Sequence, residues 1–349
     1  MIGHPLLLAV ALTDALALLL LAAAFVSAIR TLSVREPGSA LAHEGWLERA
    51  SGIASVEGRA AIWLLLMSTA LLVVAIAIVL RRVVPGAMCG TGVLQASQGA
   101  GERALALRGL ALGLLGAWHL MDRFRRHGRE PLLAAPAARS LLVAFPVAVP
   151  AVIATFRALA AMDRRQPVSC CAAVYGQVRS APGTAATGGV ADGVWMAIFA
   201  AGTLLLFLLA SLAVSRRSAG REKLAAAMAI ASAGWAAVAA VALVRVLSAY
   251  YFASPDHHHC TWCLFLPGQK AIGFPLFVLL SVVALEGPAA WISARVARRF
   301  PAVAAEAVGR SRQAGWHVMA AAALFVLLTG LPALLWRLRF GTWIGGGCP

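Results

Sequence analysis

The chain has 349 residues, 61% of them hydrophobic and only 13% charged, with a mean hydropathy of +0.83. That balance excludes an ordinary two-domain soluble protein. The net charge of +16 is carried almost entirely by arginine, Lys223 and Lys270 being the only lysines; with no soluble basic domain or aromatic platform it is no nucleic-acid footprint, and the arginines read as topology signals of a polytopic membrane protein.

Apolar stretches of about 20 residues, the length that crosses about 30 Å of hydrocarbon, recur eight times. They run over 5–29, 60–80, 104–121, 139–161, 191–214, 224–250, 271–294 and 316–337, the third being the shortest. The expected fold class is an all-α integral membrane protein, a single polytopic domain over 1–349. The first run lacks a basic leading region and a small-residue cleavage site, so it reads as a retained span. A short surface helix is expected at 41–57, ahead of the second span. The prolines of "FPVAVPAV", Pro146 and Pro150, predict a distorted fourth span, and Glu286-Gly287-Pro288 predicts a kink in the seventh.

The loops after spans one, three, five and seven hold 18 of the 30 Lys+Arg. Those loops are expected in the cytoplasm, which puts both termini outside. The Ala/Gly/Arg/Val bias indicates a bacterial genome of high GC content, hence a bacterial inner membrane. Cys89 follows span two, Cys170 and Cys171 follow span four, Cys260 and Cys263 follow span six, and Cys348 follows span eight. All six thus fall on the extracytoplasmic, oxidising face, where cysteines do disulfide or metal chemistry. The glycine-rich outer loops have no apolar period and need turns, disulfides or a partner to hold them. Each hairpin ends in an outer cysteine segment, but the segments do not align as a repeat.

The densest segment is "DHHHCTWCLFLPG" at 256–268. Cys260 and Cys263 have the spacing that lets two sulfurs meet in one turn, as a redox pair or as adjacent metal ligands. If span seven starts near them, its N-terminus would stabilise a thiolate, and His257, His258 and His259 would add positive potential. "CTWCLF" entering a membrane helix from outside resembles the active-site segment of bacterial vitamin K epoxide reductase homologues and, more loosely, of the membrane oxidoreductases that generate periplasmic disulfides. The resemblance covers about a dozen residues. It implies that Cys260 and Cys263 exchange electrons with a bilayer quinone, leaving Cys89, Cys170, Cys171 or Cys348 as shuttle residues toward a thioredoxin-like partner.

Two other readings stand beside it. Six cysteines on an oxidising face make three disulfides by any of fifteen pairings, which would staple a non-catalytic subunit or anchor of a respiratory or periplasmic redox complex. Alternatively Cys260, Cys263 and His257, His258 and His259 would hold Zn(II) or Cu(I), with Met88 beside Cys89 as a thioether donor.

Asp14, Arg245 and Glu286 fall within the spans, where each needs a partner or a cavity. Asp14 and Arg245 are feasible partners in depth; Arg245 would otherwise lie under the cysteine pair as a donor to a quinone oxygen or a thiolate. Glu286 would be a proton relay or a satisfied core group. His119 and His317, each after a tryptophan, would hold a b-type haem between facing helices or anchor at the interface. There is no GxGxxG, Walker loop, serine triad or HExxH to support soluble-cofactor enzymology or proteolysis.

Overall fold

A computed structural model of the protein describes residues 4–33, 40–128, 131–162, 168, 192–215, 220–252 and 260–343. Among these residues the regular structure is entirely helical. Eight helices are long and apolar enough to cross a membrane: Pro5–Ser33, Glu48–Arg82, Ala100–His127, Ala134–Ala161, Gly193–Ser215, Arg221–Phe252, Gly273–Arg299 and Pro301–Phe340. Each contains or closely overlaps one of the predicted spans, as expected for a multi-pass membrane protein. Large apolar side chains such as Leu12, Leu19, Trp63, Leu204 and Ile230 point outward, a surface suited to acyl chains rather than water.

The chain gathers into two compact units. The first holds Met1–Val84, Val93–Gln166 and Phe300–Val303. Its long helices are α1 (Pro5–Ser33), α2 (Ala40–Val74), α4 (Ala100–Gly128) and α5 (Ala134–Ala161); the short α3 (Gly90–Ala96), which precedes α4 in the chain, has its first three residues in the second unit. Each long helix packs on its neighbours in a ring, α1 against α2 and α5, and α4 against α5 and α2. The core is rich in alanine, including Ala17, Ala24, Ala111, Ala144, Ala148 and Ala151 around Leu21, Leu65, Leu115 and Leu141. Lipid removes the hydrophobic drive between helices, so small residues that admit close backbones and van der Waals contact hold such a bundle.

The surface helix expected at 41–57 is instead the first part of α2, which runs unbroken from Ala40. No proline interrupts that stretch, and Gly58 fits against the Trp118 ring, where an added Cβ would come within 2.3 Å. Pro146 and Pro150 lie inside α5, which continues through both.

The second unit holds Pro85–Gly92, Pro167–Arg299 and Ala304–Pro349. Its long helices are α6 (Asp192–Ser215), α7 (Arg221–Ala242), α9 (Gly273–Arg299) and α10 (Ala304–Phe340), with the single turn α8 (Ala249–Phe252) after α7. They too close a ring, α7 on α6 and α9, and α10 on α9 and α6. Phe199, Trp235 and Phe325 interlock at its centre with centroids 5.5 to 6.2 Å apart, and Trp235 Nε1 donates to Thr203 Oγ1 at 2.8 Å. Helix α9 continues through Pro288. The preceding Gly287 meets α7 so closely that a Cβ would lie 2.5 Å from that of Ser232.

The second long helix of each unit ends alike. A π-helical turn follows α2 at Ala75–Val79 and follows α7 at Leu243–Leu247, five residues each. An i→i+5 turn inserts a residue into the ladder and so re-aims everything beyond it. In both cases what lies beyond is a cysteine segment.

Candidate functional site: three converging thiols

The first cysteine segment is shaped by a turn at Pro85-Gly86. Gly86 has φ +78°, and a Cβ there would fall 2.3 Å from the Val168 carbonyl oxygen, while the Val168 N–H donates to the Pro85 carbonyl at 3.0 Å. Only glycine meets both demands. The chain then places Cys89, 2% exposed, immediately before α3.

The second segment is a 3-10 helix, Thr261–Phe265, with Cys260 as its extended N-cap residue. The Cys263 N–H donates to the Cys260 carbonyl at 3.1 Å, which folds the two cysteines into one tight turn. A second 3-10 turn, Pro267–Gln269, and the left-handed residues Lys270 and Ala271 follow before α9 begins at Gly273. The membrane helix therefore starts ten residues after Cys263 (273 − 263), and its N-terminus is not what stabilises a thiolate there.

Other groups take that role. Cys260 Sγ lies 3.3 Å from Cys89 Sγ and 3.0 Å from Thr91 Oγ1, and the three sulfurs of Cys89, Cys260 and Cys263 all fall within 4.8 Å of one another. All three cysteine side chains are buried. Hydrogen bonding to Cys263, then to Cys89, with a smaller contribution from Thr91, overcomes burial and draws the Cys260 thiol down to about 3. The same contacts push Cys263 up: its hydrogen bonding to Cys260 and Cys89, reinforced by burial, keeps it protonated. One thiolate held by neighbouring thiol and hydroxyl donors is thus the favoured state of the cluster.

The two segments are fitted by shape as well as by sulfur. The Trp262 ring lies over Gly90, where a Cβ would approach it to 2.4 Å. Phe252, Trp262 and Leu266 wall the cluster. From Trp262 an aromatic series runs to Phe265 at 5.2 Å, and from Phe265 to Phe274 at 4.9 Å and to Phe277 at 5.3 Å. Phe277 is partly exposed on the apolar side of α9, beside the exposed Val278.

Of the residues singled out in the sequence, Cys89, Cys260 and Cys263 come together. Cys170, Cys171, Cys348, His257, His258 and His259 lie outside the described residues. Met88 is exposed. Arg245 sits half-buried in the π-helical turn Leu243–Leu247. Glu286 faces two groups on α10, Arg310 Nη2 at 2.7 Å and His317 Nδ1 at 3.1 Å. His119 belongs to the first unit and His317 to the second.

Asp14, a feasible partner of Arg245 in depth, has a partner within its own unit. Asp14 pairs with Arg108, and both side chains are wholly buried. Arg108 also donates to Thr155 Oγ1 at 2.8 Å, Ser68 Oγ at 3.1 Å and Thr69 Oγ1 at 3.2 Å, and Ser68 Oγ donates to Asp14 at 2.6 Å. Arg108 escaped notice because it lies in the least hydrophobic span, where one arginine among leucines reads as an edge charge. The signal was available: a lone arginine inside a span matching a lone aspartate inside another.

The fold defines a multi-pass α-helical membrane protein carrying a buried three-thiol cluster. No protein-family model matches the chain, and neither does any curated protein or solved structure.

Proposed function

We propose that the protein is a membrane thiol/disulfide oxidoreductase of the bacterial inner membrane, exchanging electrons between extracytoplasmic cysteines and a membrane quinone. The observation that carries this reading is the convergence of Cys89 on the Cys260/Cys263 turn, with a sulfur–sulfur separation of 3.3 Å. Thiol–disulfide exchange needs a third sulfur beside a pair, and a stabilised thiolate that attacks or leaves. Cys260 has the second property and touches Cys89, the shuttle residue nearest to hand. The outward position of the cluster and of both termini follows from the arginine distribution, and a thioredoxin-like protein is the natural partner for Cys89.

In the oxidative half-reaction two thiols of the cluster become one disulfide, releasing two electrons and two protons. A quinone takes both to become quinol. The Trp262, Phe265 and Phe277 series supplies an apolar approach from the lipid side for a planar ring, with Arg245 as a candidate donor to a quinone oxygen and Glu286 as a candidate relay for protons.

The test uses the full chain in lipid nanodiscs, reduced and freed of reductant, with a short-chain ubiquinone or menaquinone. Quinol should form stoichiometrically as thiols disappear, and Cys260→Ser and Cys263→Ser should each abolish it while the protein stays inserted. Inert disulfides throughout the cluster, with no quinol in any variant, would replace this reading with a stapled, non-catalytic anchor.

A further inference from the structure

We infer that the reduced trio Cys89, Cys260 and Cys263 is also a three-sulfur binding site for a thiophilic d10 cation, Cu(I) in first place. The inference uses the sulfurs of the proposed redox centre but does not need them to turn over.

Donor chemistry, number and spacing all point the same way. The three donors are soft sulfurs, and among the described residues no carboxylate or imidazole shares the cluster. Soft thiolates select Cu(I) or Zn(II) over oxygen-seeking cations. Three sulfurs each about 2.3 Å from a common metal are about 3.8 to 4.0 Å apart for angles between tetrahedral and trigonal. The observed trio lies within that reach, all separations being at most 4.8 Å and that between Cys89 and Cys260 3.3 Å, so small side-chain rotations suffice. Zn(II) wants a fourth ligand in a structural site, whereas Cu(I) is content with three sulfurs.

The surroundings suit a closed site. The cysteines are 2%, 5% and 9% exposed and walled by Phe252, Trp262 and Leu266, so water competes poorly and a bound Cu(I) is shielded from oxidation. Thr91 Oγ1 supplies a hydrogen bond to the Cys260 sulfur from outside the donor set. The binding step is ligand exchange without electron transfer: each thiol that becomes a thiolate ligand releases one proton, and Cu(I) stays Cu(I).

A disulfide between any two of the sulfurs removes two of three donors. Metal capture is therefore confined to the reduced state, and an occupied site cannot undergo thiol exchange.

The experiment titrates the full chain in nanodiscs with Cu(I) under anaerobic conditions, against a chromogenic Cu(I) chelator, with copper quantified per chain and the metal environment read by X-ray absorption. The expected result is one Cu(I) per chain in a sulfur-only, three-coordinate shell. Binding should be lost after mild oxidation of the wild-type protein by diamide and restored by a phosphine reductant. Cys89→Ser should lose the third sulfur, and Cys260→Ser should lose stoichiometric copper. If Cys89→Ser fails to insert, the oxidation and re-reduction cycle of the wild-type chain decides. A first shell dominated by nitrogen or oxygen, binding that survives diamide, or tighter retention of Zn(II) than of Cu(I) would overturn the inference. Quinol formation is measured separately on metal-free protein, so failure of the redox reading leaves a distinct signature from failure of the metal site.

Discussion

Replacing Arg108 by leucine is the most demanding test of the first unit. Arg108 loses three hydroxyl acceptors and its carboxylate partner, and Asp14 is left buried with Ser68 alone. Three hydrogen bonds at about 1 kcal/mol each, together with an uncompensated buried charge, put the cost of Arg108→Leu at about 3 to 5 kcal/mol. Asp14→Leu strands the guanidinium instead, at a similar cost. The double variant should be far milder than the sum, because no buried charge is stranded and Thr69 and Thr155 still donate to the Leu65 and Ala151 carbonyls at 2.7 and 3.0 Å, leaving the Ser68 hydroxyl, which donated to Asp14, as the group that loses its acceptor. A coupling energy of at least about 2 kcal/mol is expected. Reversible unfolding in mixed micelles, followed by helicity and tryptophan fluorescence, measures all three. Two single variants each costing under about 1 kcal/mol, with additive effects in the double, would show that the buried pair is not what holds these helices together.

Gly90→Ala should push the Trp262 ring and separate Cys89 from Cys260, lowering the yield of a short thiol–thiol cross-linker between them; Gly109→Ala, with open space at its Cβ, is the control, and equal yields would reject the fit between the two segments. Cys260, drawn from 9.0 to about 3, should alkylate at a rate that is level between pH 5 and 8 and falls only as pH approaches 3. Its depressed folded value contributes stability that is complete above 9, the unfolded value, and is lost as pH falls through about 3. Peptide mapping by mass reads the rate, and a native-state rate that climbs through pH 9 would contradict the thiolate assignment. Glu286→Gln should destabilise the second unit by about 1 to 3 kcal/mol by weakening the contacts to Arg310 and His317, and quinol formation undiminished in that variant would remove Glu286 from any proton path.

The chain's hydropathy alone determined the class and the eight spans, because lipid forces every backbone group into a helix and each helix to a fixed length. It also marked the residues that matter at the site, since cysteine clustered outside the spans is chemically conspicuous. The partners were out of its reach. Cys89 stands 171 residues from Cys260, and nothing in either segment says that Gly90 is shaped to receive Trp262. Asp14 meets Arg108 through the packing of the first unit's ring of helices, a pairing that depth along the membrane normal leaves open. The π-helical turns that follow α2 and α7 carry no composition of their own. Their effect is one inserted residue in a hydrogen-bond ladder, a feature that exists only once the helices are packed.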